Sequence, residues 1–392
     1  HICGDITKLD SSIFKNSIGK NGCIVIGGPP CQAYSRVGKG KLRSLGEERI
    51  NTKDARGYLY QDFLRFALEL DAKAVVMENV PESTNFGGEN IPNKICRILE
   101  KSGYNAIWTI LNSADYGVPQ IRERVFVIAL KKSENLNYNL PKPTHSPRKS
   151  NKIFNEARFE TFNKYEFFRI PNKKTSVLNK WVTVGEALSD LPILFESSNS
   201  KYKLNKLNME LSYSKDISCR YQKIMRNWYG NSLKTLTGHA FRNSSRDFKI
   251  FARMKEGDNY LDASNIADKI LEERLNAVGR NIDRCSEEYK RLVKEIVPPY
   301  DREKFPNKWK KLDSKLPSHT LVAHLSQDTY SHIHPFEPRG ISVREAARLQ
   351  SFPDDFFFDC SMGEAFRQIG NAVPPLLAKG VADSIKKAFK EN

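Results

Sequence analysis

Nowhere in the 392 residues is there an apolar run near the ~18 that a membrane span needs, and the first ten residues lack the charged-then-apolar layout of a secretion signal. There is no CxxC pair either. The seven cysteines (Cys3, Cys23, Cys31, Cys96, Cys219, Cys285 and Cys360) are odd in number and scattered, which argues against a disulfide framework or a cysteine-rich zinc site. A reducing cytoplasm is the expected compartment. The chain shows no internal repeat and no long low-complexity tract, so solenoid and fibrous architectures drop out. Its glycine-rich stretch at 38–46, GKGKLRSLG, has neither the Walker spacing nor a Gly-x-Gly-x-x-Gly fingerprint and reads as a mobile basic loop. Acidic residues are the minority charge. Against 63 Lys and Arg stand 46 Asp and Glu, a net charge of +17, and such a field favours polyanions such as nucleic acid or an anionic membrane.

What is present begins with alternation. CIVIGG (23–28), KAVVMENV (73–80), YNAIWTILN (104–112) and RVFVIAL (124–130) read as strands, and 58–70 and 91–103 as amphipathic helices between them. Short apolar strands alternating with helices predict a parallel α/β sheet covered on both faces, with ligands at the carboxyl ends of the strands. From about residue 141 the pattern dissolves into Lys, Asn, Ser and aromatics. Residues 201–250 hold 11 basic against 3 acidic residues, whereas 251–315 hold 15 against 13, so the first segment is the better candidate for touching phosphate. Order returns near the end. Ser342 and Glu345 have capping-box spacing, which predicts a helix start, and the helix beginning at Pro374–Pro375 places Leu377, Val381, Ile385 and Phe389 on one face, ready to dock on the α/β core.

The chemistry-bearing residues fall at the predicted strand ends. Cys31 follows Pro29 and Pro30. A lone cysteine is more often a small buried hydrophobe than a nucleophile, but two prolines after a strand give a rigid mount, which a nucleophile needs. Glu78 ends the next strand. It could cap the following turn, or act beside a nucleophile as a proton donor whose pKa is raised by burial. In DYGVPQIRERVFVIAL, Arg122 and Arg124 alternate so that both guanidinium groups could share one side of an extended segment, as a solvated edge or as an anchor for a phosphate or base. His319, His324, His332 and His334 crowd into sixteen residues, yet no cysteine or carboxylate accompanies them at a standard ligand spacing, so no metal site is expected.

Taken together, these phrases resemble the DNA (cytosine-5)-methyltransferases of the bacterial restriction–modification type. GDI (4–6), GGPPCQAYS (27–35), MENV (77–80), ADYGVPQIRERVFVIA (114–129), REAARLQSFPDDF (344–356) and QIGNAVPPLLA (368–378) stand in that family's motif order. The resemblance implies a Rossmann-like S-adenosylmethionine-dependent methyltransferase domain over 1–145, a smaller irregular target recognition domain over 146–359, and a return to the catalytic domain over 360–392. It implies that the Cys31 thiolate adds to C6 of a cytosine flipped out of duplex DNA and that Glu78 serves N3. Arg122 and Arg124 would contact the base and its surroundings, with Gln32, Ser35, Asn79 and Gln120 at the DNA or base. For S-adenosylmethionine the matching positions are Asp5, Ile6, Pro30, Leu59, Asn371 and Val373.

One departure stands out. The Phe-x-Gly-x-Gly loop and the acidic residue that open the family's pattern are absent, and the chain begins with His1. By the size of βα units, on the order of 50–60 residues are expected to lie outside it, in a longer chain or in a separate N-terminal partner. A tRNA cytosine-5 methyltransferase is the nearest alternative, but the long basic insert favours duplex DNA. A catalytically silent DNA-binding subunit of a split enzyme is another. A cognate restriction endonuclease is the further partner that the resemblance suggests.

Overall fold

The computed structural model describes residues 2–30, 55–134, 136, 140–147, 156–171, 178–196, 201–202, 206–243, 245–279, 281–306, 308–327 and 330–390. Two compact units emerge. One comprises 1–116, 123–180 and 377–392, the other 117–122 and 181–376.

The first unit is a four-stranded sheet with strands β1 (Ile24–Gly27), β2 (Ala74–Asn79), β3 (Tyr104–Asn112) and β4 (Glu123–Lys131), in the order β1-β2-β4-β3. Helix α1 (Tyr60–Glu69) precedes β2, and α2 (Ile91–Lys101) links β2 to β3. The expected all-parallel sheet is corrected here. β1 and β2 run parallel, but β4 pairs antiparallel with both β2 and β3. The physical reason is the connection: only 113–122 separate β3 from β4, with a 3₁₀ turn at Ser113–Tyr116 and no crossover helix, and a parallel return needs a longer crossover. β2, β3 and β4 are nearly continuous apolar runs and are buried, as strands covered on both faces should be. β1 differs, since Ile24 and Ile26 are exposed.

The expected boundary at 146 also moves. Phe162, Tyr165 and Phe168 pack on the fully buried Trp108 of β3, with ring centroids 5.3, 6.0 and 4.6 Å away, so this stretch belongs to the first unit as far as Lys180. The chain returns to that unit at Leu377 rather than at 360, with the C-terminal helix Pro375–Lys390 burying Leu377, Val381 and Ile385.

The regular structure of the second unit is mainly helical, with α3 (Arg220–Arg226), α4 (Ser245–Arg253), α5 (Tyr260–Ala277), α6 (Glu287–Ile296), α7 (Val343–Leu349) and α8 (Met362–Asn371). α7 begins where the sequence predicted: Ser342 accepts from the Glu345 amide and Glu345 from the Ser342 amide. One apolar cluster gathers Leu188, Met225, Leu325, Ala347 and Phe366, and another gathers Phe251, Tyr260, Trp309 and Ile333.

Candidate active site

The carboxyl ends of β1 and β2 lie side by side in the first unit, because the two strands pair in parallel with Gly27 opposite Met77. That register sets Gly28 beside Glu78: a β-carbon on Gly28 would lie 3.2 Å from Glu78 Oε2 and press on the carboxylate. One residue on, Asn79 is buried. Its Nδ2 donates to the Pro29 carbonyl at 3.3 Å, and its Oδ1 accepts from the Val80 amide at 2.8 Å. The di-proline segment is thereby fastened to the strand that carries Glu78. Cys31, Gln32 and Ser35 lie outside the described residues, as does the 38–46 loop.

Glu78 is not a bare buried acid. Arg124, on the neighbouring β4, sets Nε 2.9 Å from Glu78 Oε1, with 12 % and 19 % of the two side chains exposed. The Arg124 Nη1 also donates to the Glu123 carbonyl at 2.6 Å. Partial burial strengthens this pair relative to one in open solvent, and it fixes where the carboxylate points.

Three residues expected at the base or DNA have hydrogen-bond partners within the protein. Asn79 holds Pro29, as described. Gln120 is fully buried: its Nε2 donates to the Leu349 carbonyl at 3.1 Å and to Gln350 Oε1 at 2.5 Å, while its Oε1 accepts from the Leu321 amide at 3.0 Å. Arg122, 1 % exposed, donates to the carbonyls of Leu321, Gly370 and Ala372 at 2.6, 2.9 and 3.1 Å. Arg122 and Arg124 therefore do not act as one patch. Each engages its own partners, and Arg122 is a buried strut of the second unit.

The expected cofactor residues are placed as follows. Asp5 is exposed, and its carboxylate accepts from the Thr7 hydroxyl and amide at 2.8 and 3.0 Å, which holds its pKa below the usual value. Ile6 is half-buried, and its carbonyl accepts from Arg65 of α1 at 2.9 Å. That bond ties the 5–9 segment to the helix whose N-terminal flank is the half-buried Leu59. Pro30 is exposed. In the second unit, Asn371 is exposed and Val373 half-buried, on a turn whose 370 and 372 carbonyls Arg122 clamps and whose 369 and 372 carbonyls Gln350 also holds.

A feature missed from sequence is a second buried polar system in the second unit. Arg339 bridges Glu337 and Glu345 through four contacts of 2.7–3.2 Å. His334 lies beside it, accepting at Nδ1 from the Phe336 and Glu337 amides. His334, Glu337 and Glu345 offer three candidate metal-ligand atoms within 4.8 Å of one another, but the guanidinium already supplies the positive charge between the two carboxylates.

The sheet with flanking helices defines a class by its fold, the Rossmann-like methyltransferases. In fold, the chain resembles a solved "putative DNA modification methyltransferase encoded within prophage" from E. coli, with a TM-score of 0.61 and 23 % identity over 100 % of this chain and 86 % of that one. The model of the family described as C-5 cytosine-specific DNA methylase matches residues 1–387, and the chain belongs to that family. It is a DNA (cytosine-5-)-methyltransferase. Among its relatives are the "Putative type II methyltransferase M.OihORF3336P" of Oceanobacillus iheyensis, 54 % identical over 99 % of this chain and 84 % of that protein. Another is the "Type II methyltransferase M.AgeI" of Thalassovita gelatinovora, 31 % identical over 93 % of this chain and 83 % of that protein.

Proposed function

We propose that the protein methylates C5 of a cytosine flipped out of a specific double-stranded DNA site, through a covalent bond between Cys31 and C6 of the base. The observation that supports it most is the Glu78–Arg124 pair at the strand end, with Asn79 tying Pro29 to the same strand immediately before Cys31. A nucleophile mounted there would approach the base with a carboxylate already oriented.

The Cys31 thiolate would add to C6, and the electrons of the C5–C6 double bond would move toward N3, where Glu78 stabilises the proton that N3 must carry. Arg124 would keep the Glu78 carboxylate in place as that charge shifts. C5, now electron-rich, becomes the nucleophile. S-adenosylmethionine, when bound, supplies an electrophilic methyl group. Loss of the C5 proton, expulsion of the thiolate and return of the N3 proton toward Glu78 would then restore the aromatic ring.

The residues offered to the cofactor fit it chemically. An exposed carboxylate at Asp5, next to the apolar Ile6, would suit an aromatic base bearing an amino group, and Arg65 ties the Ile6 carbonyl to the helix that Leu59 precedes. Pro30, in the same unit, would complete the set. The type II methyltransferase relatives support one further partner, a restriction endonuclease whose site this methylation protects.

The test is to incubate the enzyme with unmethylated duplex DNA containing 5-fluorocytosine at its methylated position, together with S-adenosylmethionine. Fluorine blocks loss of the C5 substituent, so a denaturant-stable protein–DNA adduct is expected with the native enzyme and none with Cys31→Ala. An adduct that persists in Cys31→Ala would overturn the assignment of the nucleophile.

A further inference from the structure

The second unit carries an aromatic residue mounted to face outward. Tyr229 is 78 % exposed, whereas its neighbour Trp228 packs against the apolar cluster around Met225. The turn that carries Tyr229 leaves the end of α3. The Leu233 amide donates to the Arg226 carbonyl at 3.0 Å, closing the turn. Gly230 takes φ +95°, a conformation costly for a residue with a β-carbon.

Beside the turn is a cleft of about 690 Å³, lined by Ser212, Ser214, Lys215, Ser232 and Lys234, with Asp216 as its one acidic member. Its floor is rigid. Arg226 stacks 3.5 Å from the centre of the Tyr213 ring, donates twice to Asp190 at 2.6 and 2.8 Å, and donates to the Lys215 carbonyl at 2.7 Å. The Tyr213 hydroxyl in turn donates to Asp354 at 2.7 Å, and Arg348 ties Asp190 to Asp354. The Arg226 charge is thus consumed by the fold. That of Lys215, Arg220, Lys223 and Lys234 is not: all four are exposed, and among the described residues none is in an ion pair.

We propose that this turn and cleft form a DNA-docking surface, in which Lys215, Lys234 and the hydroxyls of Ser212 and Ser232 receive a backbone phosphate and the Tyr229 ring lies against the adjoining sugar or base edge. Three physical needs of such a surface meet here. Unpaired ammonium groups supply the sequence-independent attraction, hydroxyls and a fixed floor position the phosphate, and an exposed ring held by a closed turn gives contact area at little entropic cost. The inference rests on the reading that DNA is the substrate.

Two measurements test it. The first is the affinity for a fluorescein-labelled 30-base-pair duplex of mixed sequence, followed against salt. The second is the kinetics of methyl transfer from labelled S-adenosylmethionine to unmethylated plasmid DNA. Lys215→Ala/Lys234→Ala should lower the slope of log affinity against log salt by about 1 to 2, whereas Lys269→Ala on α5 should leave it unchanged. Tyr229→Ala should raise the KM for DNA about tenfold with kcat at saturation nearly unchanged, and Tyr229→Phe should keep most of the affinity. If the Tyr229 and lysine variants match the native enzyme in KM and slope, the surface is wrong. If the native enzyme binds duplex with these dependences but transfers no methyl group, the surface stands and the catalytic reading falls.

Discussion

Arg122 and Arg124 are the same residue type two positions apart, yet their fates differ because of what each can reach. Arg124 meets a carboxylate and stays partly open. Arg122 donates to carbonyl oxygens nearly 200 or more residues away in sequence, and is buried on them. A guanidinium serves three carbonyls because it is planar with a fan of fixed donors, which an ammonium cannot reproduce. Arg122→Lys should therefore destabilise the fold by about 1 to 3 kcal/mol, read as a lowered denaturation midpoint, with KM for DNA in the surviving folded fraction close to native. Unchanged stability would show that the carbonyls find other donors. Cys31 and Glu78 stood out in the sequence because their type and position both carry chemistry. The burial of Asn79, Gln120 and Arg122 did not, since polar side chains near a motif look alike whether they face a ligand or a distant carbonyl.

At the scale of elements, the helix starting at Ser342 was legible because its cap is local, four residues deciding it. The direction of β4 was not, because an apolar run says that a strand is buried without saying which way it points. The segment 318–341 is a third case. Its histidine crowding was visible, but its meaning came from packing. His319 and His332 stack with ring centres 3.8 Å apart, and burial pushes His319 and His334 down to about 4 and lowers His332 as well. Burial alone would raise Glu345, but the Arg339 guanidinium outweighs it and keeps the carboxyl charged. An unfolded histidine takes up its proton near pH 6.5, while these do so at markedly lower pH, so the unfolded chain binds more protons in between. Stability should be full above about pH 6.5 and decline progressively toward pH 4. Thermal unfolding at pH 7.5, 6 and 5 checks this, and a midpoint that does not fall at the lower values would contradict it.

The whole molecule is assembled from interleaved pieces, with the first unit drawing on 1–116, 123–180 and 377–392. Composition announced a basic protein with no helix, among the described residues, long and apolar enough to cross a membrane, but not where one unit stops. That depended on aromatic contacts such as Trp108 with Phe168. A chain ending after Leu376 lacks the helical face of Leu377, Val381 and Ile385. It should bind a hydrophobic dye strongly and lose methyl transfer, and a truncated chain with native dye binding would show that the helix is dispensable.

The same interleaving gives synthesis an order. After Lys180 has been made, about 200 residues of the other unit must follow before the returning helix emerges, roughly 10 to 40 s at bacterial translation rates. Through that interval the first unit waits with an apolar face uncovered, so the nascent chain is at its most chaperone-dependent late in translation.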